Sequence, residues 1–521
     1  MTPSVVPEPA SVPAAFNPRS RDFVWRWLFP ALGVFTLLGS CVLLSLKKQE
    51  WADEVFTRIE VSDHSLWHLM HALTRLGGAG MPLFYLTAWP WAHLFGVSDL
   101  SLRLYSSIGV CGAYLVLMAA LRRCFSARAA FLGVTFGLFS SMIVPGQNAE
   151  ARGYGLYLLL CALAIAQLLR VSDLERPRRR DLALLALTQA GVVLGHVLGL
   201  LFAGLMLLAL CIADLQQKRV RWKVWLCGAA GWLALLPWLP AIRASMAVGK
   251  PHGWILAPTI VDLLIALSSW IFAGLYFPAL HGTLFGVVIG WACAIFCVAG
   301  IVAAAFYALR DASPRQRTAY WIGLALVFAP VVFFAASHLV TPIWVARYLL
   351  PVALGVGVLA AGWADRFTRG AAALVLGIVA LLLLPVTVLA AKPDFLDVAR
   401  IDQLAAGRPV VCDWAPDFLV VLRYSAHPAS AQFPLDWDSA LAGPPAAVGA
   451  WHLMENYRRD GYMPGHLLDQ PQVLSQPSFV VLNETGNNWF QREIEANPQF
   501  AWQVLATIDA THRVIAVTRR R

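Results

Sequence analysis

The chain has 521 residues, of which 59% are hydrophobic and only 13% charged, with a formal net charge of +10. Its mean hydropathy of +0.64 means more apolar surface than a water-soluble core of this length buries, so bilayer is the solvent it is built for. The basic excess falls in short clusters between apolar runs, which records orientation in a membrane and attraction to acidic lipid; no nucleic-acid partner is expected.

Taken in chain order, residues 1 to 24 are a tail rich in Pro, Ala and Ser without the basic start and cleavage pattern of a signal peptide, so the first apolar run is expected to stay as an anchor. A crossing needs roughly 20 apolar residues. Runs near that length lie at 25 to 46, 103 to 121, 128 to 146, 153 to 169, 222 to 241, 283 to 308, 318 to 339, 348 to 364 and 370 to 391. The stretch 182 to 213 is long for one span and broken at Gly195 and His196, and 82 to 95 is short, aromatic and interrupted by Pro90.

Lys and Arg accumulate on the cytoplasmic side. Arg122 and Arg123, Arg176 with Arg178 to Arg180, Lys218 to Lys223, Arg310 to Arg317, and Arg366 with Arg369 share that side under one parity only. That parity makes 182 to 213 two helices turning at His196 and lays 82 to 95 along the outer interface. Eleven spans result, with the N-terminus inside and the C-terminus outside a bacterial inner membrane. The expected domains are the tail 1 to 24, a membrane domain 25 to 391 with long exterior loops at 47 to 102 and 242 to 280, and a soluble periplasmic domain 392 to 521. In the last, PVVCD and FVVLN read as strands, APDFLVVLRYS and NWFQREIEANP as helices, and the final segment as a strand pair turning near Asp509, which gives a small α/β domain.

Ionisable groups within a bilayer are costly, and no Asp or Glu falls in the middle of an expected span. The acids instead gather outside: Asp53, Glu54, Glu60 and Asp63 after the first span, then Asp99, Glu150 and Asp262. A proton-coupled transporter or a flippase for a lipid-linked sugar, the competing reading, calls for polar residues through the spans and an inverted repeat, and neither is visible. An enzyme at the outer interface fits better.

The segments WADEVFTRIE, MPLFYL, LFGVSDLSLRLYSS, NAEARGYGLYLLL and ARYLLPV, in this order and on one side of the membrane, resemble the GT-C glycosyltransferases that use polyprenyl-phosphate sugars, the superfamily of protein O-mannosyltransferases and the lipid A aminoarabinose transferase. The resemblance covers residues 25 to 391. It implies a mainly α, polytopic GT-C fold and transfer, with inversion, of a hexosyl or pentosyl unit from an undecaprenyl- or dolichyl-type phosphate to a lipid, glycan or protein hydroxyl. It matches Asp53 to the general base and Glu150 to a second active-site acid. The family's His-Pro-Pro or Lys-Pro-Pro is replaced here by Gly80, Met81 and Pro82.

Displacing a lipid phosphate also needs positive charge where the phosphate leaves. Arg347, Arg103, Lys250 and His252 are the candidates, with Arg347 favoured because an arginine fork at a span's mouth suits phosphate oxygens. Glu54 is expected to orient the sugar, the acceptor or Arg58, with Arg152, Tyr154, His196 and Tyr348 in support. No cofactor is assigned; a divalent metal stays open, since carboxylates and His are present without recognisable ligand spacing.

Overall fold

The computed structural model describes residues 23–74, 81–249, 255–272, 284–436, 438, 445–485 and 489–520. In chain order the helices are α1 (Val24–Ser45), α2 (Ala52–Val61), α3 (Leu66–Leu73), α4 (Pro82–Phe95), α5 (Asp99–Leu121), α6 (Ala127–Phe139), α7 (Ile143–Asn148), α8 (Tyr154–Ser172), α9 (Arg179–Gly195), α10 (Gly199–Gln216), α11 (Trp222–Ala244), α12 (Ile260–Phe272), α13 (Leu284–Arg310), α14 (Pro314–Val327), α15 (Ala329–Leu339), α16 (Ala346–Phe367) and α17 (Gly370–Ala390).

Among the described residues, seven of these helices are long and apolar enough to cross a bilayer, and the bent pair α14 and α15 makes eight. The expected count of eleven also drew on 128 to 146, 182 to 195 and 283 to 308. The first of these is interrupted at Ser140–Met142, which leaves α6 with 13 residues, about 20 Å of helix against a hydrocarbon core of about 30 Å. Helix α9 has 17 residues, and α13 has 27 with side chains only partly described. Segment 82 to 95 is a 14-residue helix, α4, shorter than a span.

Glycines let these helices touch backbone to backbone, as in other membrane bundles. A Cβ on Gly133 of α6 would sit 2.3 Å from the Ala361 nitrogen of α16, and one on Gly109 of α5 would sit 2.4 Å from the Gly155 carbonyl carbon of α8. The second contact matters for function, because the ends of α5 and α8 carry Arg103, Arg152 and Tyr154. First and last spans are also tied: Lys47, just past α1, donates from Nζ to the carbonyls of Val388, Leu389 and Ala391 at the end of α17, at 3.1, 2.9 and 2.9 Å.

After α17 come α18 (Val398–Ala405), β1 (Val410–Cys412), α19 (Ala415–Tyr424), β2 (Ala431–Leu435), α20 (Pro445–Arg459), β3 (Leu467–Asp469), α21 (Gln470–Leu474), β4 (Ser478–Glu484), α22 (Trp489–Ala496), β5 (Phe500–Thr507) and β6 (His512–Arg519). The sheet order is β3-β2-β1-β4-β6-β5; the first four strands are parallel, and β6 and β5 add on antiparallel. Both faces are covered, as a parallel sheet requires. Alternate residues divide accordingly: Val410, Cys412, Val480, Leu482 and Val514 enter one core, while Val411, Phe479, Val481, Ile515 and Val517 enter another.

The first of those cores is shared. It contains Val55, Leu69, Tyr85 and Ala88 from the segment between α1 and α5 together with Phe418, Trp451 and Tyr457 from the C-terminal domain. Polar groups lock the same junction: Arg58 donates to Glu50 at 2.7 and 2.5 Å and to Asp99 at 2.7 Å, Arg423 of α19 donates to Asp99 at 2.7 Å, and Tyr424 donates to Asp99 at 2.5 Å. The loop and the domain therefore form one roof over one end of the bundle.

Candidate active site

Asp53 and Glu54 open α2, where the exposed N–H groups of a first turn favour acids. Successive residues on a helix point about 100° apart, and here the two acids part company. Glu54 turns inward and is fully buried, facing Arg103 in a two-pronged pair with Nε to Oε1 at 2.8 Å and Nη2 to Oε2 at 2.9 Å. It also accepts from the Ala151 N–H at 2.8 Å. Arg103, itself 0% exposed, spends its remaining donors on the carbonyls of Lys48 and Gln49.

This corrects two expectations. Arg103 presents no donor to a phosphate, because its depth on α5 and the return of the chain after α1 enclose it. Glu54 orients Arg103 and not Arg58, whose fork is held by Glu50 and Asp99.

Asp53 turns outward and stays 26% exposed, with Arg347 (23% exposed) 3.4 Å away, Nη2 to Oδ2. Arg347 sits in the short 3-10 turn Ala346–Leu349 that leads into the rest of α16. Its Nε donates to the Tyr154 hydroxyl at 2.9 Å, and its guanidinium carbon lies 5.2 Å from the Trp51 ring centre and 5.7 Å from that of Tyr348. Aromatic faces on two sides and a tyrosine at one edge fix the plane of the fork.

Glu150 lies between α7 and α8, 6% exposed, accepting from Trp51 Nε1 at 3.1 Å and Gln147 Nε2 at 2.7 Å. Burial pushes its carboxyl above the usual range, while nearby Lys48, Arg152 and Arg347 pull it back. Arg152 donates to the Asp53 carbonyl at 3.2 Å and the Thr57 hydroxyl at 3.1 Å. Burial opposes its charge, but the Asp53 carboxylate favours it, and Arg152 is held charged more firmly than usual.

His196, at the turn between α9 and α10, stacks on Tyr157 at 4.8 Å and meets the rings of Tyr348 and Tyr154 at 5.0 and 5.8 Å. Its Nδ1 accepts from the Leu198 N–H. Burial, with Arg152 and Arg347 adding repulsion, pushes it down to about 3, which keeps it neutral.

The structure thus gathers Asp53, Glu150, Arg152, Tyr154, His196, Arg347 and Tyr348 around one mouth. Lys250 and His252 lie outside the described residues, as does Gly80. Two contributors were missed from sequence, Trp51 and Gln147. The available signals were an aromatic residue two places before Asp53 and the polar pair Gln147-Asn148 closing an apolar run. Among the described residues no group of three or more His, Cys, Asp or Glu is placed to hold a metal ion. Glu54 is spent on Arg103, and Glu150 is spent on Trp51 and Gln147.

Two solved structures resemble the whole chain. ArnT from Cupriavidus metallidurans bound to undecaprenyl phosphate matches with a TM-score of 0.61, covering 95% of this chain and 98% of that one at 13% identity. The chain has the ArnT fold. The apo state of ArnT gives the same result, with a TM-score of 0.59, coverage of 94% and 97%, and 13% identity. No family model and no curated protein sequence matches the chain. The likeness covers 95% of the chain, so it takes in the bundle, the roof and the C-terminal domain together.

Proposed function

We infer that this chain is an inverting glycosyltransferase that moves a sugar from a polyprenyl phosphate to an acceptor hydroxyl at the periplasmic face of the inner membrane. The observation that carries this reading is the pairing of Asp53 with Arg347 at the mouth of a span: an accessible carboxylate and an accessible fork in contact, while the neighbouring acids are buried and engaged. The ArnT fold supports it, since one of those structures holds undecaprenyl phosphate.

In this mechanism the donor phosphate takes the Arg347 fork, whose pose Tyr154, Trp51 and Tyr348 hold in advance. Drawing Arg347 toward phosphate oxygens loosens its hold on Asp53 and frees that carboxylate for the acceptor. The acceptor oxygen attacks the anomeric carbon and its proton passes to Asp53 as the carbon–oxygen bond to phosphate breaks. The bond electrons leave on the phosphate, where Arg347 meets the charge. Attack from the face opposite the leaving group inverts the anomeric centre. Arg152, bonded to the Asp53 carbonyl, keeps the first turn of α2 in place. The lipid tail runs into the bilayer between helices, with the α9–α10 turn at His196 as one wall. The acceptor class is a lipid, a glycan or a protein hydroxyl.

The test is mass spectrometry of outer-surface lipids and glycans from cells with the chain, without it, and with Asp53→Asn. A sugar lost in the deletion should stay lost in the variant, with turnover down on the order of 10² to 10⁴. Near-normal sugar transfer by Asp53→Asn protein that is folded in membranes removes Asp53 from the base role.

A further inference from the structure

The end of the bundle opposite the site carries a feature the transfer reaction does not use. Helix α5 runs from Arg103 beneath the roof to Leu121, so Arg122 lies about 28 Å from the buried Arg103 pair along the helix axis. There a groove of about 330 Å³ opens between α1 and α5, lined among others by Arg26, Trp27, Val34, Phe35, Leu115 and Arg122. Its floor is buried, with Pro30 and Met118 below, while Trp27 is 65% and Phe35 71% exposed and form the outer lip. Arg122 Nη2 donates to the Arg26 carbonyl at 3.0 Å, which holds the Arg122 side chain against the backbone of Arg26, and both residues line the same groove.

We propose that this groove is a binding site for an acidic glycerophospholipid of the leaflet opposite the catalytic mouth, its phosphate on Arg26 and Arg122 and one acyl chain between α1 and α5. Three properties fit that occupant. The cationic end sits where the chain's other basic clusters place the cytoplasmic surface, and basic pockets between membrane helices on that side suit anionic headgroups. The rest of the groove is apolar over the nine residues from Trp27 to Phe35, about 12 Å of helix, which suits a hydrocarbon chain and no polar ligand. Trp27 stands beside the arginines, at the depth where indoles settle between headgroup and hydrocarbon. A second groove, about 200 Å³ between α10, α13 and α14, makes the contrast: Leu205, Leu208, Ile212 and Phe328 line it with no cation, and it selects no headgroup.

The experiment uses the full chain in phosphatidylcholine nanodiscs, titrated with phosphatidylglycerol or with phosphatidylcholine of the same acyl chains, and counts retained lipids by native mass spectrometry. The native chain should retain phosphatidylglycerol in preference. The Arg26→Ala, Arg122→Ala double variant should lose that preference on the order of tenfold or more. Ala31→Trp, which fills the groove and leaves both arginines, should lose it too, and decides the matter if the double variant does not fold. Equal retention of the two lipids by the native chain overturns the proposal, as does unchanged preference in a folded variant. Displacement of phosphatidylglycerol by an equal amount of polyprenyl phosphate would also overturn it, by giving the groove to the donor lipid.

Discussion

Glu60 and Tyr457 are 397 positions apart in the chain and 2.6 Å apart in the fold, the hydroxyl donating to a fully buried carboxyl that also accepts from Tyr85 at 2.5 Å. The stacked rings of Phe56 and Tyr457, 5.1 Å apart, lie beside this bond. Through these contacts the C-terminal domain bears directly on the helix that carries Asp53.

Burial pushes the Glu60 carboxyl up, against the hydrogen bonds from Tyr457 and Tyr85. A raised acid binds its proton more tightly in the fold. Its contribution is therefore complete below the unfolded value of 4.5 and fades as pH rises through the higher folded value. Glu60→Gln should flatten the decline of thermal stability as pH rises above 4.5. Tyr457→Phe, which removes one donor from a buried acceptor, should cost about 1 to 3 kcal/mol and quicken proteolysis of the C-terminal domain. An unchanged pH slope in Glu60→Gln would show that this carboxyl does not set it.

His196 titrates with the opposite sense. It falls from 6.5 to about 3 in the fold, so its stabilising contribution is present above 6.5 and is lost as pH drops from there toward 3. Asn keeps an acceptor for the Leu198 N–H and carries no proton, so His196→Asn should hold its unfolding temperature further into acid than the native chain. Parallel acid limbs for the two proteins would count against this.

Arg103→Ala would leave the Glu54 carboxylate buried without its partner, a loss of about 3 to 5 kcal/mol, read as a large drop in unfolding temperature in detergent. Arg103→Lys should recover little, because one ammonium cannot replace the two-pronged contact. Stability close to native in Arg103→Ala, with donor use impaired, would return Arg103 to the phosphate role that its burial denies it.

Arg347→Ala should raise the donor KM by about tenfold to a hundredfold, the worth of charge-assisted hydrogen bonds to a phosphate, while the acceptor KM stays near native. Arg347→Lys should fall between. Equal effects on donor and acceptor would place Arg347 elsewhere in the reaction.

Much of this was legible in the sequence because the signals are local. Asp53 beside Glu54, Arg347 beside Tyr348, and the order of the acidic and aromatic segments are read directly from the string, and the fold brings Asp53 and Arg347 within 3.4 Å of each other. Orientation about a helix was not legible: nothing in the string Asp53-Glu54 says that one acid faces a mouth and the next a buried arginine. Arg103 was misplaced for the same reason, since its carbonyl partners arrive through the fold of the chain after α1. In the C-terminal domain β1, β4 and the final hairpin announced themselves by β-branched runs, whereas β2, with Pro434, and the three-residue β3 did not. The break at Ser140–Met142 inside the apolar stretch 128 to 146 was not legible either, because hydropathy alone averages it away.

The tie from Lys47 to the end of α17 has a consequence in time as well as in space. Asp53 leaves the ribosome about a tenth of the way through synthesis, but the groups that fix its surroundings, Arg347, the closing turn at Ala391 and Tyr457, emerge only in the last third. Contacts of such sequence separation form late in folding. The acid made among the first residues is therefore set in place among the last, and a chain that stalls before its C-terminal domain lacks the Tyr457 contact that bears on the helix carrying Asp53.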